Sequence, residues 1–180
     1  MVQVGRMKFE IITGDITKPL GVQAIVNAGN HDLTPGGGVN GAIHRAAGPE
    51  LLDECRKLSG CRTGEAKITK AYNLPCDYVI HTVGPKWKDD DWYLLMECYY
   101  SSLTLAEKYG IRSIAFPAIS TGKNGFPLDV AAKLAVRAPI HVLSANDDLF
   151  DRIVFVMPSE ESCLIYNDAR NKYYGKIGYL

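Results

Sequence analysis

Short, continuously apolar runs set the strongest limit on how this chain can fold. "AIVNA" (24–28), "SIAFPA" (113–118) and "RIVFVM" (152–157) are rich in β-branched or aromatic residues and show almost no polar face. Strands built from them must be covered on both sides. "MKFEIIT" (7–13), "AKITKAY" (66–72) and "DYVIHTV" (77–83) read as three more strands. Helical patterns lie between them, over about 40–58 with a break near Gly48-Pro49, and over 91–109, 127–144 and 159–172. Strands interleaved with helices of this length predict the α/β class: a three-layer α/β/α sandwich with a central, mostly parallel mixed sheet. In such sheets ligands settle beyond the carboxyl ends of the strands.

The 180 residues, 47% hydrophobic and 22% charged, suit one globular domain. Residues 7–175 read as that domain, with 1–6 as a lead-in, Met7 as an alternative start, and 176–180 as a tail. Twenty basic residues balance twenty acidic ones, which argues against nucleic acid as the main partner, since that needs a clustered positive surface. Cys55, Cys61, Cys76, Cys98 and Cys163 are odd in number and form no C-x-x-C pair. That pattern gives neither a disulfide framework nor a zinc knuckle, and the chain is expected to be reduced and cytoplasmic. The segment "MVQVGRMKFEIITGD" lacks the apolar stretch of a signal peptide. No run approaches the 18 apolar residues of a membrane span, so no membrane partner is expected. No metal-ligand spacing and no cofactor motif stand out, and nothing in the sequence sets an oligomeric state.

Three polar or glycine-rich segments follow strands: "GDITK" (14–18), "GNHDLTPGGGVNG" (29–41) and "ISTGKNGFP" (119–127). A glycine loop entering a helix presents bare N–H donors and the positive end of a dipole, a setting that suits phosphate. Two such loops together would grip a diphosphate. Neither fits G-x-G-x-x-G or the Walker pattern, so dinucleotide and nucleoside-triphosphate folds of those types are disfavoured. Pro127 reads as the first residue of the following helix, with Asp129 as a structural residue in its first turn.

"GDIT" (14–17), "AIVNAGN" (24–30), "GGGVNGAIHRAAG" (36–48), "CRTGEAKIT" (61–69), "YVIHTVGP" (78–85) and "AISTGKNGFP" (118–127) together resemble the macro domain, over about residues 7–175. The nearest branch is that of the bacterial MacroD-like enzymes, which bind ADP-ribose and cleave it from modified acidic side chains or from O-acetyl-ADP-ribose. The resemblance implies that Asp15 accepts from the adenine amino group and that the backbone of Ile16 reads the ring. It gives Asn30 the distal ribose, for which an amide that donates and accepts is apt. Gly36, Gly37, Gly38 and Val39 would wrap the diphosphate, and Ser120, Thr121, Gly122, Lys123, Asn124, Gly125 and Phe126 would close over the other side. The plainer alternatives are a turn role for Asp15 and a self-satisfied turn for Asn30.

Three positions depart from the pattern. Asn40 stands where MacroD-like enzymes usually carry an aspartate proposed to activate water, and asparagine accepts no proton at neutral pH. Asn124 replaces a bulky aromatic beside the distal ribose, and Pro158 replaces an aromatic that stacks on adenine. Catalysis then falls to a ligand phosphate oxygen as proton acceptor, with Asn30 and Asn40 orienting the water. The alternatives are that Asn40 only caps the helix from Gly41, and that the domain is a non-catalytic ADP-ribose reader. Asn40→Asp is expected to speed hydrolysis with little change in affinity. His31 and Asp32 read as surface turn residues, His44 and Arg45 as packing or salt-bridge residues, and His81 as a satisfied core histidine. Trp87, Trp92 and the tyrosines from 93 to 100 read as a buried aromatic helix face.

Overall fold

Alternation along the central strands sends apolar side chains to both faces of the sheet. The computed structural model describes residues 2–143 and 149–178. Met1, residue 144 of the expected helix 127–144, and residues 179–180 of the expected tail lie outside the described residues. In chain order the elements are β1 (Val2–Val4), β2 (Met7–Thr13), β3 (Ala24–Ala28), α1 (Gly38–Ala47), α2 (Pro49–Arg56), β4 (Ala66–Lys70) and β5 (Tyr78–Thr82). They continue with α3 (Leu94–Lys108), β6 (Ser113–Phe116), α4 (Leu128–Ala135), α5 (Ala138–Leu143), β7 (Arg152–Met157) and α6 (Glu160–Lys176).

The sheet order is β1-β2-β7-β6-β3-β5-β4. The run β2-β7-β6-β3-β5 is parallel throughout, and the edge strands β1 and β4 are antiparallel to their neighbours. This is the expected mixed, mostly parallel α/β/α sandwich. On one face Val26, Ile80, Ile114, Phe116, Ile153, Phe155 and Met157 pack with buried residues of α3, α4 and α6. On the other, Ile25, Val79, Ala115, Val154 and Val156 pack against Ile43 and Ala47 of α1 and Leu51 and Cys55 of α2. Phe155 is the hub of the first face: its ring lies 5.0 Å from Phe9, 5.5 Å from Tyr99 and Phe116, and 6.2 Å from Tyr166.

Several expectations are corrected. Val2–Val4, read as lead-in, pairs with β2 in the register Val2↔Phe9, and Val2 is buried. The C-terminal helix runs to Lys176, past the expected stop at 172 and into the expected tail. It opens on a capping box in which Ser159 and Ser162 exchange side chain-to-backbone bonds. The helix expected over 127–144 is two helices, α4 and α5. Pro139 near the start of α5 has no N–H to give a continuous helix, so the ladder stops at Val136 and restarts. Pro127 is the residue before α4, not its first turn. Trp92 and Tyr93 precede α3 and are exposed, 56% and 48%, while Tyr99 alone of this aromatic set is fully buried.

Truncating the hub, Phe155→Ala, should cost about 3–5 kcal/mol of stability through lost transfer energy and the cavity left behind. Urea unfolding reads this as a lower midpoint at unchanged slope. A loss below about 1 kcal/mol would show that the face repacks freely without this ring.

Candidate functional site

Because five neighbouring strands run the same way, their carboxyl ends share one rim. In spatial order the rim carries Gly14-Asp15 after β2, Pro158 after β7, the 117–127 loop after β6, the 29–37 loop after β3, and Val83-Gly84 after β5. From β2 to β3 is three strand spacings, about 14 Å. The sequence-derived candidates are thereby brought to one edge.

The first loop, residues 29–37, is shaped by side-chain amides. Asn30 donates from Nδ2 to the Thr34 carbonyl at 2.8 Å and accepts from the Thr34 N–H at 3.1 Å. Asn40 donates to the same Thr34 carbonyl at 2.9 Å and accepts at Oδ1 from Asn27 at 2.8 Å. Asn40 lies inside the first turn of α1 and not ahead of it, so it does not cap that helix. The helix begins at Gly38 from Gly37, with no side-chain cap. The N–H groups of Gly38, Val39 and Asn40 have no hydrogen-bond partner among the described residues. Gly36, Gly37 and Gly38 are exposed and Val39 is half-buried. Gly41 must be glycine because a Cβ there would overlap the Gly36 carbonyl. The first turn of α1 thus rests directly on the loop it must steady.

The second loop, residues 117–127, folds on itself through Gly125 N–H to Gly122 O at 2.9 Å and Phe126 N–H to Ser120 O at 3.0 Å. The N–H groups of Gly122, Lys123 and Asn124 have no partner among the described residues. Asn124 ties this loop to the next rim segment, donating from Nδ2 to Gly84 O at 2.8 Å and accepting at its carbonyl from Trp87 N–H at 2.8 Å. Phe126 is buried, its ring 4.9 Å from Trp87, so it anchors the loop from below. Ser120 is also buried, with φ +65°, and its hydroxyl fills the space beside Gly84 that a Cβ would need. Thr121 is half-buried, its hydroxyl on Ala118 O at 2.9 Å. Gly84 was missed in the sequence because the contact that demands it lies on another loop.

At the β2 end, Asp15 is exposed and accepts at Oδ1 from both the N–H and the hydroxyl of Thr17, at 2.9 and 2.7 Å. These bonds hold its carboxyl below the usual carboxylate value. The other oxygen has no hydrogen-bond partner among the described residues, which leaves a charged acceptor at the rim. The Ile16 side chain is buried in the α1–α2 core and its N–H is without a partner among the described residues. Pro158 is exposed beside them. No cluster of three His, Cys, Asp or Glu suited to a metal ion occurs among the described residues. None of their helices is long and apolar enough to cross a membrane.

Beneath the first loop, the sheet face that is apolar at Ile25 and Val79 turns polar two residues on, at Asn27 and His81. His81 is fully buried, 3.1 Å from Asn27 Nδ2 and 2.9 Å from Thr69 Oγ1. It is the satisfied core histidine the sequence suggested. Burial, helped by the neighbouring His44, drives its pKa from 6.5 down to about 3. His44 is itself buried and lowered by the same desolvation.

A three-layer α/β/α sandwich in which two loops at one rim present backbone donors with no partner among the described residues defines an anion-receiving α/β domain. The chain belongs to the macro domain family, whose sequence profile matches residues 26–135. It is 48% identical over 169 residues to an O-acetyl-ADP-ribose deacetylase of Escherichia fergusonii, covering 90% of this chain and 94% of the relative. It is 49% identical over 179 residues to the ADP-ribose glycohydrolase MACROD2 of Xenopus laevis, covering 95% of this chain but only 42% of that longer protein. A mutant of the Oceanobacillus iheyensis macrodomain solved with ADPR superposes at a TM-score of 0.88, with 40% identity and 95% of each chain covered.

The buried imidazoles make stability depend on pH. Above about 6.5 both folded and unfolded chains hold these rings neutral, and stability is complete. As pH falls from 6.5 toward 3, the unfolded chain takes up a proton at His81 that the folded chain refuses, so stability declines. Thermal unfolding at pH 7.5 and pH 5 should show a lower Tm at pH 5. An equal Tm at both would mean the rings are not held neutral.

Proposed function

We propose that this chain binds ADP-ribose along the rim and hydrolyses ADP-ribosyl esters, on mono-ADP-ribosylated acidic side chains, O-acetyl-ADP-ribose or both, with release of ADP-ribose. The observation that carries this reading is the pair of adjacent loops whose N–H donors at Gly38–Asn40 and Gly122–Asn124 have no partner among the described residues. A diphosphate supplies the acceptors they lack. Gly36, Gly37, Gly38 and Val39 take one side of it, and Ser120, Thr121, Gly122, Lys123, Asn124 and Gly125 the other, with Phe126 as the buried anchor. Asp15 offers its unengaged oxygen to the adenine amino group, beside Ile16 and Pro158. Asn30 faces the distal ribose end.

In the reaction, water attacks the anomeric carbon, the bond to the ester oxygen breaks, and the carboxylate leaves. The water's proton passes to a ligand phosphate oxygen, because Asn40 has no basic oxygen to receive it. Asn30 and Asn40 act by orienting the water or the loop around it. The carboxylate donor is an ADP-ribosylated protein or a small acyl ester. A cytoplasmic site of action is supported by the five free cysteines, four of which (Cys55, Cys61, Cys76 and Cys98) are held as thiols by pKa values of about 11.

The second reading, a non-catalytic ADP-ribose reader, is favoured by one observation: both ends of the Asn40 amide are already engaged by Asn27 and Thr34. Incubation with mono-ADP-ribosylated protein and with O-acetyl-ADP-ribose separates the two. Multiple turnovers exclude the pure reader, and tight binding with no release excludes the enzyme. In the same preparation Asp15→Ala should weaken ADP-ribose by roughly 1–3 kcal/mol, read by calorimetry. Unchanged affinity would place the adenine elsewhere.

A further inference from the structure

The Thr34 carbonyl accepts from two amides at once, Asn30 Nδ2 at 2.8 Å and Asn40 Nδ2 at 2.9 Å. The triple-glycine segment departs from this point one residue later, after Pro35. A carbonyl oxygen only accepts, so the Asn40 atom facing it is the NH2 group. Asn40 Oδ1 therefore faces Asn27 and requires a donor, which fixes the Asn27 NH2 toward it at 2.8 Å. The second hydrogen of that NH2 points at His81 Nδ1, 3.1 Å away, so this ring nitrogen carries a lone pair. The ring proton then sits on Nε2, 2.9 Å from Thr69 Oγ1. Asn27, Asn40, Thr69 and His81 are 1%, 5%, 2% and 0% exposed, so water has little access to relax any step.

We propose that His81, which is buried beneath the rim, is a positioning residue for the first loop: its Nδ1 lone pair orients Asn27, Asn27 orients Asn40, and Asn40 with Asn30 holds the Thr34 carbonyl. Asn27 Oδ1 is buried without a partner among the described residues. With no described partner to hold that oxygen, the Asn27 NH2 is kept in place by two acceptors, Asn40 Oδ1 and the His81 lone pair, and removing the second weakens the preference. If Asn27 turns over, Asn40 must follow to keep its bond, and its oxygen then meets the Thr34 carbonyl, acceptor against acceptor. The loop is then tied at Thr34 by Asn30 alone, and its donors lose part of their aim. The same logic sets a different expectation for Asn40→Asp from the one drawn from the sequence. A carboxylate there keeps the Asn27 bond but opposes the Thr34 carbonyl, so affinity falls along with any change in rate.

The consequence for binding rests on the ADP-ribose reading, and the test separates the two. ADP-ribose and AMP are titrated by calorimetry into wild type, His81→Phe and Thr69→Val. AMP shares the adenine end and lacks the distal ribose and second phosphate. His81→Phe should raise the ADP-ribose Kd about tenfold and leave AMP within about twofold, with Thr69→Val shifting the same way by less. Equal loss of both ligands, or loss of neither, overturns the proposal. Nitrogen-15 imidazole spectra of the unliganded wild type at pH 7 should show His81 neutral with its proton on Nε2. A proton on Nδ1 overturns the proposal whatever the ligand results, and decides the matter should His81→Phe fail to fold. Wild type that binds no ADP-ribose sinks the functional reading, while the spectrum still judges the chain of amides.

Discussion

Parallel alignment of five strands is the constraint on which the rest of the molecule depends. A parallel ladder cannot close through tight hairpins, so every return passes over a face of the sheet, and both faces must be apolar to receive the crossings. The same alignment brings Asp15, Pro158 and the two glycine-bearing loops to one edge. The site is therefore not an addition to the fold. It is where the fold has run out of strand-to-strand partners for its backbone.

What the rim can do follows from how its two loops are held. Glycine segments hold their own conformation poorly, and internal backbone bonds, Gly125 to Gly122 and Phe126 to Ser120, steady only the second. The first is fixed by amides reaching in from below, and the second by Phe126 packed on Trp87 and Asn124 tied to Gly84. Side chains thus do the holding while main chain is left to face the cleft. Such a division suits a ligand with a long, uniformly anionic middle, because N–H groups recognise phosphate oxygens without adding bulk.

Much of this was legible in the sequence, for physical reasons. Strands 7–13, 24–28 and 152–157 match residue for residue: the last two are buried on both faces and the first alternates with a period of two, so no helical period competes in any of them. Val2–Val4 was not legible: three residues on an antiparallel edge carry too little pattern, and pairing with β2 is what orders them. The α4–α5 break was legible in Pro139, but the apolar pattern on either side masked it. For the site, glycine composition and placement after strands located the rim. The roles of Gly84, Asn27 and Thr34 were hidden, because each depends on an atom brought in from a distant segment. Asn27 is the one polar residue in a strand that is otherwise continuously apolar, and that polarity was the one available signal.

The contrast between the first and last helices has a further implication. Helix α6 supplies its own terminal partners through Ser159 and Ser162, whereas α1 supplies none. A glycine in place of a capping side chain, as at Gly37, leaves a helix poorer by a few tenths of a kcal/mol, a deficit that an occupant of the cleft removes only while it stays. Occupancy and conformational stability are therefore thermodynamically coupled through a single helical turn, and the resting protein is the less robust of its two forms.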